Sequence, residues 1–271
     1  MTMLHRYVVF TDLDGTLLDH DTYSFDKALP ALRMLEREGI PLVINSSKTR
    51  PEIERYRSLL GNNHPFVTEN GGGIYIPDGY FGRDFHSDRA AGGYSVVGIG
   101  TSRGVLRDVL KSVARETGIR IKGVSDMALP EIEELTGLGP ESAEFVRERD
   151  YSEPFIVFGD DVEVGRKIIE KGFGYTRGSR FHHILGGNDK GKAVRFLTDL
   201  YRSESPSVET LGIGDNLNDL AMLEEVDFPM LVRKKGGAYE ERCRLPGVIL
   251  ADGEGPSGFN SAILKFFINN E

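Results

Sequence analysis

Positions 7–16 of the chain read YVVFTDLDGT. The short apolar run that ends at acidic residues is typical of a buried parallel strand. In an open α/β sheet, the carboxyl ends of the strands face the ligand crevice, so Asp12 and Asp14 are expected to lie there. Two carboxylates so close together repel each other, and a divalent cation relieves that repulsion. Gly15 permits a sharp turn after them, although a simple surface Asp-Gly turn is the alternative interpretation.

The segments on both sides of this stretch alternate between strands and helices. Helical spacing of apolar residues over 28–39 is followed by an apolar strand at 40–44. Thr49 and Glu52 have the spacing of a capping box. Further segments have the same character: a helix ending at Gly61, a strand at 66–68, a helix from Asp189, a strand ending at Gly214, a helix from about Asn218, a strand at 229–232 and a helix at 259–268. This alternation predicts an α/β fold with a Rossmann-like parallel sheet.

The middle of the chain has a different pattern. The turn sequence Pro77-Asp78-Gly79 predicts a hairpin over 74–81. Beyond it we expect helices near 103–115 and 161–171, short helices up to about 149, strands near 119–124 and 155–158, and a hairpin over 175–184. This order suits an α+β unit inserted into the first domain. We therefore predict a catalytic core of 1–84 and 188–271 and an inserted cap domain of 85–187.

Composition excludes several classes of protein. The formal net charge of -9 argues against a nucleic-acid partner, since phosphate backbones are bound by basic surfaces. No run approaches 18 apolar residues, so no membrane partner is expected. A single cysteine, Cys243, excludes an internal disulfide framework. A cytoplasmic enzyme fits these features, and the oligomeric state is not indicated.

Three further groups of residues have the chemistry of a phosphoryl site. Asp215 and Asp219, in the segment GIGDNLND at 212–219, follow an apolar strand and offer the hard oxygen ligands that Mg²⁺ prefers. Lys190 opens a predicted helix, where anions are favoured, although Lys192 is a competing candidate. Ser46 follows the second strand. Ordinary helix capping by Asn216, Asn218 or Thr49 is the alternative for single residues of these groups.

Taken in order, Asp12-x-Asp14-Gly-Thr, Ser46, Lys190 and Gly-Asp215-x-x-x-Asp219 resemble the pattern of the haloacid dehalogenase superfamily of phosphotransferases. The resemblance implies that Asp12 is the nucleophile and Asp14 the general acid and base. It implies that Ser46 and Lys190 hold the phosphoryl oxygens. The metal, Mg²⁺, would be bound by Asp12, the backbone carbonyl of Asp14 and Asp215, while Asn218 and Asp219 orient metal-bound groups. The long insertion resembles the larger α+β cap of that superfamily, the C2 type.

Four longer segments resemble the mannosyl-3-phosphoglycerate phosphatase family: NSSKT at 45–49, ENGG at 69–72, YSEPF at 151–155 and GPSGFN at 255–260. The resemblance implies hydrolysis of mannosyl-3-phosphoglycerate to mannosylglycerate and phosphate, as in the synthesis of this compatible solute. Phosphatases acting on glucosyl-3-phosphoglycerate or another sugar phosphate remain open. So do a phosphomutase and a non-catalytic protein that binds a phosphorylated metabolite.

We expect substrate contacts from the cap and from loops at the sheet edge. Arginines near 177–183 could pair with the carboxylate of a phosphoglycerate, since a guanidinium binds a carboxylate through two hydrogen bonds. The same residues, with His183, could equally form a solvated basic turn. The predicted substrate-binding residues are Ser47, Lys48, Glu69, Asn70, Gly71, Arg177, Arg180, His182, Asn188, Pro256, Ser257 and Gly258.

Overall fold

The structure is a computed structural model that describes residues 6–177 and 181–269. Within these ranges the chain forms two β-sheets and nine α-helices, with short 3-10 turns between them. The strands are β1 (Tyr7–Thr11), β2 (Leu42–Asn45), β3 (Phe66–Thr68), β4 (Gly73–Pro77), β5 (Arg89–Ala90), β6 (Tyr94–Gly98), β7 (Arg120–Gly123), β8 (Ser152–Phe158), β9 (Gly174–Arg177), β10 (His182–Leu185), β11 (Glu209–Gly214), β12 (Phe228–Arg233) and β13 (Ile249–Glu254). The helices are α1 (Leu29–Arg37), α2 (Arg50–Leu60), α3 (Arg103–Thr117), α4 (Leu129–Thr136), α5 (Pro140–Arg147), α6 (Asp161–Glu170), α7 (Lys190–Glu204), α8 (Leu220–Glu225) and α9 (Gly255–Asn269).

The larger sheet has the order β13-β12-β11-β1-β2-β3-β4-β6-β5. The six strands from β13 to β3 pair in parallel, and the remaining three add in antiparallel fashion. β1 therefore lies near the middle of the parallel part, between β11 and β2. The predicted α/β class and the Rossmann-like core are confirmed.

Helices cover both faces of the large sheet. Val9 points to the face that packs on α1, α2 and α9, whereas Val8 and Phe10 point to the face that packs on α7 and α8. Because neighbouring residues of a strand point to opposite faces, a strand buried on both sides is apolar throughout. This explains why the sequence of β1 is a continuous apolar run.

The smaller sheet has the order β7-β8-β10-β9 and is antiparallel throughout. One face packs on α3 and α6 through residues such as Phe155 and Ile184. The other packs on α4 and α5 through residues such as Phe181. The sheet and its four helices form an α+β unit with two small cores of its own.

Part of the range predicted for the cap, 85–187, pairs with the large sheet. Strands β5 and β6 lie inside this range, but antiparallel pairing of β6 with β4 places them in the large sheet. The elements of the small unit run from α3 to β10, and the predicted end at 187 falls between β10 and α7. The division of the chain into two domains stays a prediction.

Other local predictions differ from the structure at identifiable points. The predicted hairpin over 74–81 is wrong, because β4 pairs with β3 and β6 rather than with the residues just after the Pro77 turn. The strand β13 was not predicted, since its sequence ILADGE has only a short apolar run. The last helix starts at Gly255, four residues before the predicted start. In the part of the chain that the structure describes, no helix combines the length and apolar character needed to cross a membrane.

Candidate active site

Asp12 stands directly after β1, at the carboxyl edge of the parallel sheet. Its backbone N–H donates to the carbonyl of Ile213 in β11 at 3.0 Å, so the pairing of β1 with β11 continues one residue beyond the strand. The side chain is only 5% exposed. Asp12 therefore lies at the carboxyl edge of the sheet, as the apolar run and the acidic residues after it predicted.

Gly15 allows the loop after Asp12 to approach the neighbouring strand. Its φ of +80° is in the left-handed region, and a Cβ at this position would lie 2.9 Å from Oδ2 of Asp215. A side chain would strain the backbone and displace the carboxylate. Thr16 donates from Oγ1 to Oδ1 of Asp215 at 3.2 Å. The Asp-Gly-Thr sequence thus joins the loop after β1 to the loop after β11.

Lys190 connects the two acidic loops. It is the first residue of α7, and its backbone carbonyl accepts a hydrogen bond from Nδ2 of Asn45 at the end of β2. Its Nζ lies 2.6 Å from Oδ1 of Asp12 and 2.6 Å from Oδ1 of Asp219, with no exposed surface. Burial alone would lower the pKa of Lys190, but the two carboxylates raise it above its ordinary value. The lysine is a fixed positive charge.

Three buried carboxylates, those of Asp12, Asp215 and Asp219, have oxygen atoms within 4.8 Å of one another. Burial raises the pKa of Asp12 well above its ordinary value, although Lys190 opposes the shift. Burial, with repulsion from Asp219, raises the pKa of Asp215 to about 7. One lysine offsets only one of three negative charges. The cluster therefore fits a divalent cation bound through hard oxygen ligands.

Asp219 also holds its own loop in place. Its Oδ2 accepts from the backbone N–H groups of Asp215 and Asn216 at 3.0 and 3.1 Å. With Oδ1 bound to Lys190, both of its oxygens accept hydrogen bonds within the site. The orienting role of Asp219 stays a prediction. Asn218 is exposed and donates to Oδ1 of Asn70 at 3.3 Å.

Asp14 lies beside the cluster of three carboxylates and is not one of them. Its Oδ2 is 2.9 Å from Nζ of Lys48 in the loop after β2. Its Oδ1 is buried and has no hydrogen-bond partner among the residues that the structure describes. A buried polar atom without a partner costs free energy, so it marks a place where a ligand atom or water fits.

The loops after β2 and β3 form the wall next to Asp12. Ser46 is 1% exposed, and its carbonyl accepts from the N–H of Asn70 at 3.0 Å. Nδ2 of Asn188 donates to the carbonyls of Glu69 and Asn70 at 3.1 and 3.3 Å. A Cβ on Gly71, with φ of +86°, would lie 2.0 Å from the carbonyl oxygen of Asp189, so only glycine fits there. These predicted residues shape the site through backbone contacts.

The Glu69 carboxylate has partners that the predicted contact with a sugar did not include. The side chain is 2% exposed, and both carboxylate oxygens accept hydrogen bonds from residues at the start of β8 and just before it. The donors are the N–H of Asp150 at 2.8 Å, the N–H of Tyr151 at 3.1 Å and Oγ of Ser152 at 2.5 Å. A carboxylate engaged in this way is not available for hydroxyl groups of a sugar. The sequence could not reveal these partners, since they lie more than 80 positions away.

A cavity of about 460 Å³ lies between the core and the small unit, next to Asp14. Its size is within the range of small-molecule sites. Ser47 and Lys48, both predicted to contact substrate, line it. The other lining residues are Tyr23, Glu52, Arg55, Tyr56, Thr136, Leu138, Ser142, Phe145, Val146, Arg149, Phe181 and His183. We call this cavity the interdomain pocket.

Sequence reasoning missed most residues of the interdomain pocket. Arg149 lies between α5 and β8, and its guanidinium donates to the carbonyl of Ser47 at 3.3 Å and to Oγ of Ser152 at 3.1 Å. His183 has a pKa lowered to about 3, first by burial and then by the nearby charge of Arg149. The only available signal was the neighbouring segment YSEPF at 151–155, which begins two residues after Arg149.

The structure does not bring Arg177 and His182 to the interdomain pocket. His182 pairs across the sheet with Arg177 and with Phe155, whose side chain lies on the face covered by α3 and α6. There, Arg177 forms an ion pair with Asp161 at 2.8 Å, and His182 contacts the hydroxyl of Tyr175 at 2.7 Å. Since side chains alternate along a strand, His183 points to the opposite face. Arg180 lies outside the described residues.

The residues predicted near the end of the chain support the Asp14 loop. A Cβ on Gly255, at the start of α9, would lie 3.7 Å from the carbonyl oxygen of Gly15. Pro256 is buried, and Gly258 packs closely on Val232. Ser257, between them, is partly buried. An anion-binding role for 256–258 stays a prediction.

Comparison with known proteins identifies the family of this chain. The model of the haloacid dehalogenase-like hydrolases matches residues 9–87. A glucosyl-3-phosphoglycerate/mannosyl-3-phosphoglycerate phosphatase from Methanococcoides burtonii is 44% identical over 269 residues, with 98% of each chain covered. A mannosyl-3-phosphoglycerate phosphatase from Pyrococcus furiosus is 38% identical over 225 residues, which cover 83% of this chain and 90% of the relative.

Solved structures support the fold. A protein from Thermoplasma acidophilum superposes with a TM-score of 0.70 at 21% identity, covering 97% of this chain and 98% of the other. A phosphatase of the haloalkanoate enzyme superfamily from Bacteroides thetaiotaomicron superposes with a TM-score of 0.68 at 18% identity, covering 98% and 96%. The chain belongs to the haloacid dehalogenase-like hydrolases, in the family that contains the glucosyl-3-phosphoglycerate/mannosyl-3-phosphoglycerate phosphatases.

Proposed function

We propose that the protein is an Mg²⁺-dependent phosphatase that hydrolyses mannosyl-3-phosphoglycerate to mannosylglycerate and phosphate through a phosphorylated Asp12. The observation that carries the proposal is the buried contact of Lys190 with Asp12 and Asp219, at 2.6 Å each, beside Asp215. A carboxylate that is oriented by a buried lysine and shielded from water is suited to attack a phosphoryl group, and a bound divalent cation would favour its charged form. Family membership supports the same reaction class.

The first chemical step transfers the phosphoryl group to the protein. An oxygen of Asp12 forms a bond to phosphorus while the bond from phosphorus to the glycerate oxygen breaks. Asp14 donates a proton to that oxygen, and Lys190 and Ser46 hold the oxygens of the transferring group. Mg²⁺, held by Asp12, the backbone carbonyl of Asp14 and Asp215, would neutralise negative charge on the phosphoryl group when bound.

The second step releases phosphate. Asp14, now deprotonated, accepts a proton from water as the water oxygen attacks phosphorus, and the bond to Asp12 breaks. The contact of Asp14 with Lys48 at 2.9 Å supports this role, since it points the carboxylate towards the interdomain pocket. The unpartnered Oδ1 leaves one oxygen free for the proton.

The interdomain pocket suits the leaving group. It adjoins the general acid, it is lined by charged and hydroxyl side chains, and its walls come from both the core and the small unit. A glycerate that carries a sugar needs a cationic group for its carboxylate and polar groups for its hydroxyls. Two relatives are named for both glucosyl and mannosyl esters, so the glucosyl ester is the second candidate substrate.

A non-catalytic binding protein is the alternative from a different class. Such a protein has no need of a nucleophile, a general acid and a buried lysine in contact, whereas this chain retains Asp12, Asp14 and Lys190. A phosphomutase would return the phosphoryl group to its product, so the products of turnover separate it from a phosphatase.

The proposal is tested by assaying phosphate release from a panel of phosphate esters with Mg²⁺, including both hexosyl-3-phosphoglycerates and hexose phosphates. We expect the highest kcat/KM on mannosyl-3-phosphoglycerate, with free phosphate equal to the ester consumed and no activity after chelation. Equal rates on all esters would contradict the substrate assignment, and an isomeric phosphate ester as the product would indicate a mutase.

A further inference from the structure

We infer that Arg149 determines specificity by binding the carboxylate of the leaving group, and that Glu69 is the positioning residue that holds Arg149 at the interdomain pocket. The inference rests on the proposed function for the identity of the substrate. It assigns to residues of the pocket a task that the phosphoryl site cannot perform, because that site contacts only the group being transferred.

Arg149 is the cation that the small unit presents to this pocket. The other described residues that line it from α4, α5 and β10 are apolar, hydroxyl-bearing or, for His183, neutral. Among the described residues, no carboxylate lies within 4.0 Å of the Arg149 guanidinium. Its hydrogen bonds go only to the neutral oxygens of Val146, Ser47 and Ser152. The nearby carboxylate of Glu69 attracts the guanidinium without contacting it, so the guanidinium keeps donor capacity for an anion.

The other cations at the pocket are less suited to this task. Lys48 is already engaged with two carboxyl groups of the core, Asp14 at 2.9 Å and Glu52 at 3.8 Å. Arg55, on α2, is exposed to solvent, where its attraction for an anion is weak and screened by salt. Arg149 is half-buried and beside the loop that carries Lys48. A carboxylate placed at Arg149 leaves the phosphate end of the substrate free to reach the neighbouring Asp14 and Asp12.

Glu69 fixes the segment that follows Arg149. Its carboxylate binds the backbone of Asp150 and Tyr151 and the hydroxyl of Ser152, and that hydroxyl in turn accepts from Arg149. Glu69 adopts a left-handed backbone with φ of +52°, and its N–H donates to the carbonyl of Lys48 at 3.0 Å. A strained residue is kept where the surrounding contacts require it. Glu69 thus links the position of Arg149 to the loop of the core that carries Lys48.

The test compares mannosyl-3-phosphoglycerate with an analogue in which a hydroxymethyl group replaces the carboxylate. For Arg149→Ala, we expect kcat/KM to fall roughly 100-fold on the natural ester and less than about threefold on the analogue. Arg149→Lys keeps the positive charge but lacks the paired N–H donors of the guanidinium. This variant should regain part of the lost kcat/KM on the natural ester, with no change on the analogue. Arg177→Ala is the matched control, since this exposed arginine lies on the other face of the same sheet, and neither substrate should be affected.

Equal losses on both esters in Arg149→Ala, or no loss on either, would overturn the assignment. The assignment would also be overturned if Arg149→Lys had the same kcat/KM as Arg149→Ala on both esters. If the wild-type protein does not favour mannosyl-3-phosphoglycerate over other phosphate esters, the proposed function fails instead. Arg149 is then tested with 3-phosphoglycerate and glycerol 3-phosphate, which differ only in the carboxylate, and the same selective loss is expected.

Glu69 is tested by a double-mutant cycle. Glu69→Gln should raise KM for the natural ester roughly tenfold, with kcat on a small aryl phosphate little changed. In the Arg149→Ala background the same substitution should add almost nothing, because the group that Glu69 positions is gone. A purely structural role would lower activity on both substrates and would persist in that background, and that result would contradict the positioning role.

Discussion

The phosphoryl site and the interdomain pocket differ in how they are built. The site around Asp12 uses residues at the ends of β1, β2 and β11 and at the start of α7, all within one sheet and its helices. Its charged groups contact one another at distances such as 2.6 Å from Lys190 to Asp12. The interdomain pocket is lined by α2, by loops of the core, and by the smaller sheet on the face where α4 and α5 pack. We therefore expect reaction and selectivity to depend on separate parts of the fold.

This difference predicts two kinds of variant. Substitutions at the phosphoryl site should affect every phosphate ester alike, since every substrate has the same transferring group. Substitutions in the interdomain pocket should affect esters according to their leaving group. Residues that touch both regions, such as Lys48, should show both effects.

The largest effect is expected for Asp12→Asn. The variant keeps the shape of the side chain but removes the attacking oxygen charge, so kcat should fall by at least about four orders of magnitude on every ester. Phosphate release from mannosyl-3-phosphoglycerate and from an aryl phosphate is the measurement, with circular dichroism to verify the fold. A folded variant with near-normal turnover would refute a covalent intermediate on Asp12.

Loss of a metal ligand should follow in magnitude. Asp215→Asn removes one charge from the cluster of three carboxylates. The Mg²⁺ concentration that gives half-maximal activity should rise at least about tenfold, equally for both types of ester. Titration of activity with Mg²⁺ measures this shift. An unchanged requirement would show that the metal, if any, binds elsewhere.

Lys48→Met tests the border between the two regions. Lys48 orients Asp14 and lines the pocket, so kcat/KM should fall roughly tenfold to 100-fold on the natural ester. The loss on an aryl phosphate should be smaller but measurable, because the proton donor is less well held. Steady-state kinetics on the two substrates give the comparison, and an effect confined to the aryl phosphate would be inconsistent with this position.

The smallest effect concerns stability and pH at the pocket. His183 is neutral in the folded state, with a pKa of about 3 against an ordinary value of 6.5. Between these values the unfolded chain binds a proton that the folded chain does not, so its contribution to stability is present above pH 6.5 and is lost as the pH falls. Through this one group, the free energy of unfolding changes by at most about 1.4 kcal/mol per pH unit.

Denaturant unfolding at pH 7 and pH 5 measures this contribution. The free energy of unfolding should fall less between these pH values in His183→Gln than in the wild-type protein. His182→Gln is the comparison variant on the other face of the sheet, where partial burial lowers the pKa of His182 as well. If the free energy of unfolding falls as much between pH 7 and pH 5 in His183→Gln as in the wild-type protein, other groups cause the acid sensitivity.

Much of the phosphoryl site could be predicted from the sequence. A buried parallel strand has a continuous apolar sequence, and its end identifies the residues at the sheet edge. Asp12, Asp14, Lys190, Asp215 and Asp219 all occur at such ends or at a helix start, and the structure brings them together. The chemistry of this region is encoded in short segments of the chain.

The pocket could not be predicted in the same way. Neighbouring side chains of a strand point to opposite faces of the sheet. His183 therefore lies at the pocket, whereas His182 lies on the other face. The sequence pattern of the short strand at 182–185 gave no sign of which face meets the core. Likewise, the binding of Glu69 to the segment 150–152 depends on how the second sheet sits on the first.

The phosphorylated Asp12 is open to direct observation. An aryl phosphate labelled at phosphorus, whose leaving group departs without a proton from Asp14, would be mixed with the Asp14→Asn variant and Mg²⁺, quenched in acid, and the labelled peptide mapped. Without Asp14 as the base for the second step, the phosphoenzyme should accumulate, with the label on Asp12 and release by hydroxylamine. Label that is absent from the protein, while phosphate is still released by the variant at a measurable rate, would contradict transfer through Asp12.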